Sequence, residues 1–190
     1  MRAAWKVTVA ATVEPERFVF VDECGTHTSL APIYGYAPIG ERLRLSVPRK
    51  RGKNTTLLAS MTLEGMGPTL AVEGATTAVV FEAYVERVLA PSLKEGQVVA
   101  MDNLGAHRPK RVRELIEHRG AELLYLPSYS PDNNPIEEAF AKLKHLLRKS
   151  SARTKKALVE AIAAALSAIS VRDVQGFFDH AGYRTTAHLL

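Results

Sequence analysis

Val98-Val99-Ala100-Met101-Asp102-Asn103 decides how this chain folds. Four apolar residues in succession, without the polar alternation of a half-exposed strand, describe a short strand covered on both faces. The run stops at an acid. Upstream, Arg17-Phe18-Val19-Phe20-Val21-Asp22 repeats the arrangement. Downstream, residues 121–126 form another apolar run, separated from the first by a helical pattern over 109–119 that Gly120 closes. Strands separated by helices pair in parallel through helical crossovers.

The segment between Asp22 and Val98 reads differently. Gly35-Tyr36-Ala37-Pro38-Ile39-Gly40 is a turn, because Pro fixes φ and Gly permits a positive φ. It links residues 31–36 to residues 42–47, where Leu43, Leu45 and Val47 alternate with Arg42, Arg44 and Ser46 and predict a strand with one buried face. Further strands are expected over 55–63 and 69–73, and a helix over 77–89 before Pro91. Amphipathic helices follow over 135–149, 155–167 and 171–180. The expected fold class is α/β: a mixed central sheet with a leading antiparallel meander and helices on both faces. Residues 17–190 read as one domain, and residues 1–16 as a leader or the remnant of an upstream region.

Composition narrows the partners. The 190 residues carry a net charge of +5, with 46% hydrophobic and 24% charged residues. No apolar run reaches the roughly 18 residues of a membrane span. A single cysteine, Cys24, excludes an intramolecular disulfide and fits a reducing compartment. The bases are clustered. Arg49, Lys50, Arg51 and Lys53 share one turn, and Lys144 and Arg148 follow Glu137 on one helical stripe. Each cluster reads either as a solvated face or as contacts to a polyanion backbone.

Asp22, Asp102 and Glu137 are the candidate chemistry. Each has a plain alternative: Asp22 as the first solvated residue of its strand end, Asp102 as a turn or cap residue, and Glu137 as the third residue of a helix capped by Asn134 and started by Pro135. Together, three carboxylates at the ends of core elements suit divalent cations that assist a displacement at phosphorus. One cysteine and the absence of a His-x-x-x-His pair leave no zinc pattern.

Asp22-Glu23, Asp102-Asn103 with His107, and Ser130-Pro131-Asp132-Asn133-Asn134-Pro135-Ile136-Glu137 together resemble a DDE transposase of the mariner-like superfamily, in its bacterial insertion-sequence branch. The 34 residues between Asp102 and Glu137 match that branch's spacing. The resemblance implies a ribonuclease-H-like fold and Asp22, Asp102 and Glu137 as ligands of two Mg²⁺ ions, with Mn²⁺ able to substitute. It implies cleavage of transposon-end phosphodiesters and transfer of the released 3′-hydroxyl into target DNA. Asn103, His107, Glu23 and Glu138 are accessory candidates; Arg49, Lys50, Arg51, Lys53, Lys144 and Arg148 are DNA-binding candidates. The implied partners are transposon-end and target DNA, a second copy in a homodimer, and a helix-turn-helix segment encoded upstream. The implied location is the bacterial cytoplasm, on the nucleoid. Two other readings stay open at this point: a non-catalytic DNA-binding or oligomerisation fragment, and a ribonuclease-H-type nuclease.

Overall fold

The computed structural model describes residues 5, 9, 12–47, 52–103, 110–128 and 130–184. Among these, five strands form one sheet in the order β3-β2-β1-β4-β5. They are β1 (Phe18–Thr26), β2 (Thr55–Thr62), β3 (Gly65–Glu73), β4 (Val98–Met101) and β5 (Glu122–Tyr125). β1, β2 and β3 make the antiparallel meander, while β1, β4 and β5 run parallel. The helices are α1 (Ala78–Tyr84), which continues as a π turn (Val85–Leu89), then α2 (Lys110–Glu117), α3 (Ile136–Ser150), α4 (Lys155–Ser167) and α5 (Val171–Ala181). None of the described helices is long and apolar enough to cross a membrane.

β1 sits at the centre, and its pleat divides the core in two. Phe18, Phe20 and Cys24 join Val98 and Ala100 of β4 in a cluster with the apolar faces of α3, α4 and α5. Val19 and Val21 join Val99 and Met101 in a second cluster with Phe81, Tyr84, Val112 and Ile116 from α1 and α2. Alternation along each strand thus supplies both faces of the sheet. The continuous apolar character of β1 and β4 follows from that two-sided cover. Phe18, Phe20, Phe178 and Tyr183 pack ring against ring, with Tyr183 5.0 Å from Phe18 and 4.9 Å from Phe20 between centroids.

Local signals explain where the helices begin and end. Thr77 and Thr154 cap α1 and α4 by accepting from Val80 N and Ala157 N. Ser170 and Asp173 form a capping box on α5, and Gly182 ends it at φ +95°. Trp5 is buried in the same core as α5, where its Nε1 donates to Tyr183 Oη at 2.9 Å.

Two expectations fail here. Residues 42–47 are not a strand, and Leu43, Leu45 and Val47 are 51%, 52% and 40% exposed. The intervening turn does form, with Gly40 at φ +85° and Glu41 N donating to Pro38 O. Alternation makes a buried face only where a second layer covers it. β1 pairs with β2 and β4, and residues 31–47 join neither outer edge of the sheet. The second failure concerns the start of α3 and is described with the site.

Candidate active site

The parallel register brings the first two acids together. Phe18 pairs with Val98 and Val21 with Met101, so one further step along both strands reaches Asp22 and Asp102. Both acids have the parity of Phe20 and Ala100, which face the α3 side of the sheet. α3 starts at this same end of the sheet and carries Glu137 in its first turn. A cleft of about 390 Å³ opens there, lined by Asp102, Asn103, Ser128, Ser130, Asn134 and Glu137.

Asp22 is buried beside this cleft and held by two neutral donors. Asn134 Nδ2 donates to its Oδ2 at 2.7 Å, and the Glu23 backbone N donates to its Oδ1 at 2.7 Å. Asn134 is therefore not the helix cap that its position before Pro135 predicts. Pro135 occupies the cap position with φ −62°, and no side chain caps α3. A residue before proline is pushed toward extended backbone, and Asn134 stands at φ −119°, ψ 87°. Its side chain is thereby turned toward β1. Glu137 is likewise not engaged in a capping box with Asn134, and its carboxylate borders the cleft.

Lys144 lies two turns along α3 from Glu137 and acts on the Cys24 thiol. Burial pushes that thiol's pKa up, Lys144 pulls it the other way, and Asp22 and Glu137 add to the rise. These opposed influences place Lys144, Asp22 and Glu137 within electrostatic reach of Cys24. Cys24 itself is a buried filler.

The accessory candidates divide. Asn103 lines the cleft. Glu23 contributes its backbone N–H, while strand alternation sends its side chain to the opposite face. Glu138 turns away, its Oε1 2.5 Å from His180 Nδ1 on α5. Among the basic candidates, Lys53 Nζ is 2.7 Å from Glu73 Oε1, and Lys155 also pairs with Glu73. Those two lysines hold the Glu73 carboxyl down to about 2. Arg148 is half-buried on α3. His107, Arg49, Lys50 and Arg51 lie outside the described residues. Asn134 is the site residue that the sequence reading assigned elsewhere; the only local signal was an asparagine preceding proline just ahead of Glu137.

The acids carry oxygen donors alone. Among the described residues no three His, Cys, Asp or Glu side chains converge closely enough to enclose a metal ion by themselves. Asp102 and Glu137 share the cleft wall, and Asp22 reaches it through Asn134.

A family model described as DDE superfamily endonuclease matches residues 17–159. This chain belongs to that family. The DDE chain is also 34% identical over 103 residues to the Transposable element Tcb1 transposase of Caenorhabditis briggsae, covering 50% of this chain and 38% of that protein. Among solved structures it matches a pre-cleavage Mos1 transpososome with TM-score 0.77 and 17% identity, covering 95% of this chain and 57% of that one. It also matches the catalytic domain of Mos1 mariner transposase with TM-score 0.65 and 17% identity, covering 95% and 85%. The DDE chain thus spans well under two thirds of the full-length relatives and nearly all of the isolated catalytic domain. The mixed sheet with helices on both faces is the ribonuclease-H-like fold of that domain.

Proposed function

We propose that this DDE chain is the catalytic part of a DNA transposase, cleaving phosphodiesters at transposon ends and transferring the 3′-hydroxyl into target DNA. The observation that carries this reading is the parallel β1–β4 register. Its last pair, Val21 with Met101, immediately precedes Asp22 and Asp102, and Glu137 of α3 lines the cleft with Asp102, which supports the three acids as one site.

The donor chemistry fits hard divalent cations. The cleft offers carboxylate, amide and hydroxyl oxygens, which suit Mg²⁺ or Mn²⁺ completed by water and phosphate oxygens. Mos1 paired-end complexes have been solved with Mn and with Mg. Asp22, Asp102 and Glu137 are the proposed holders. Two bound cations would supply an activated water or hydroxyl and stabilise the leaving oxygen of an in-line displacement. Asn103 borders the same cleft beside Asp102 and is placed to orient it. His107 is proposed to meet the attacking water or a phosphate. Lys144 and Arg148 extend from Glu137 along α3, and with Arg49, Lys50, Arg51 and Lys53 are proposed to meet the DNA backbone without reading sequence.

Residues 17–190 are the proposed catalytic domain. Selective recognition of the ends is assigned to a helix-turn-helix segment outside these 190 residues, and the working assembly to a homodimer on DNA in the bacterial cytoplasm. The test is Mn²⁺-dependent nicking of a duplex carrying the element's end. Asp102→Asn should abolish nicking while circular dichroism and DNA binding stay unchanged. Undiminished nicking by the folded variant would rule the assignment out. Cleavage of an RNA–DNA hybrid in preference to the duplex would move the protein to the ribonuclease class.

A further inference from the structure

The turn that opens α3 carries an amide that the helix does not use. Asn134 is 3% exposed and Asp22 7% exposed, and they meet across 112 positions of sequence through the 2.7 Å Nδ2–Oδ2 hydrogen bond. At this end the N–H groups of Glu137 and Glu138 donate to the carbonyls of Asn134 and Pro135, which leaves the Asn134 side chain free of the cap role.

The backbone that delivers the amide is held on several sides. Asn134 N donates to Pro131 O at 2.9 Å, and Glu137 N donates to Asn134 O at 3.1 Å. Tyr183 Oη donates to the neighbouring Asn133 O at 2.8 Å, in the buried network that begins at Trp5 Nε1. With the Glu23 N–H on Oδ1 and the Asn134 amide on Oδ2, each Asp22 oxygen has a donor at 2.7 Å, so rotation of the carboxylate is blocked. Both donors are neutral, so neither cancels the charge that a cation needs.

The other end of the amide is unspent. Asn134 Oδ1 is buried, and among the described residues no donor reaches it. The residue lines the cleft with Asp102 and Glu137. A buried amide oxygen without a donor is rare, and here it sits on a residue of the cleft wall.

We propose that Asn134 is a positioning residue of the cation site: its Nδ2 holds the Asp22 carboxylate in the orientation in which it would bind the cation. This assignment rests on the cation reading above. Its mechanism is that of a partner orienting a ligand, whose loss weakens metal binding about 10- to 100-fold.

The test is Mn²⁺ titration of the whole chain by calorimetry, with melting of the metal-free proteins followed by circular dichroism. Wild type should bind Mn²⁺, and Asp22→Asn should lose that binding. Asn134→Ala, and Asn134→Leu as a variant that keeps the buried volume filled, should raise the Mn²⁺ Kd about 10- to 100-fold. Their metal-free melting should fall modestly while they stay folded, because Asp22 loses one buried donor, and saturating Mn²⁺ should restore nicking. A Kd within twofold of wild type in either folded variant overturns the role of Asn134 and leaves the cation reading standing. Failure of both variants to fold makes Asn134 structural and overturns the role too. Absence of Mn²⁺ binding by wild type overturns the cation reading and this assignment with it.

Discussion

β1 and residues 42–47 both read as strands in the sequence, yet one is the centre of the molecule and the other is exposed. In β1, Phe18 and Phe20 are completely buried on the α3 side while Val19 and Val21 are buried on the α1 side. In residues 42–47, Leu43, Leu45 and Val47 are largely open to solvent. The difference lies in neighbours as well as in pattern: β1 is a continuous apolar run, and residues 42–47 alternate. β1 has β2 on one edge, β4 on the other, and a helical layer on each face. The same central position that buries Phe20 also brings Asp22 to the end of β4. Position in the sheet therefore creates both the core and the site.

Four variants test this contrast, taken from the largest expected effect to the smallest. Phe20→Ala should cost about 3–5 kcal/mol, since it empties a completely buried ring site against Phe178 and Tyr183. Urea unfolding would show it, and a cost below about 1 kcal/mol would mean that β1 is not the central support.

The second concerns the layer that covers β1. Ser170→Ala should cost about 1 kcal/mol by removing the cap of α5, the helix that carries Phe178 onto the sheet. The same box is acid-sensitive. Lys142 and Ser170 hold the Asp173 carboxyl at about 2, below its ordinary 3.8. A depressed folded-state pKa adds stability above about pH 4, and that contribution fades as pH falls through about 2. The stability gap between wild type and Asp173→Asn should close over that window, which urea midpoints at pH 5, 3 and 2 would check.

Smallest is the exposed stretch. Leu43→Ser with Leu45→Ser should change stability by less than about 0.5 kcal/mol. A larger loss in the isolated chain would show that residues 42–47 are covered after all.

Much of this molecule is legible without coordinates. The Val98–Met101 strand and the helices Lys155–Ser167 and Val171–Ala181 fall where periodicity and punctuation put them, because apolar spacing and caps act within a few residues. Thr77, Thr154 and Ser170 show this directly. Residues 42–47 mislead because periodicity records what a strand offers, not whether a layer exists to receive it. Asn134 misleads for a related reason. Its local context proposes a cap, but proline before the helix weakens that role and the tertiary partner is Asp22.

The sequence by itself determined the elements, the two-sided cover of the inner strands, and the acids at their ends. Those follow from short-range backbone geometry and from the burial of apolar runs. Tertiary structure alone decided that Asp22 and Asp102 stand in neighbouring register, that Asn134 spends its amide on Asp22, and that residues 31–47 remain outside the sheet. Each of these is a choice among partners far apart in the chain. Such choices are made by competition for edges and faces in the assembled fold, and a local pattern carries no record of its competitors.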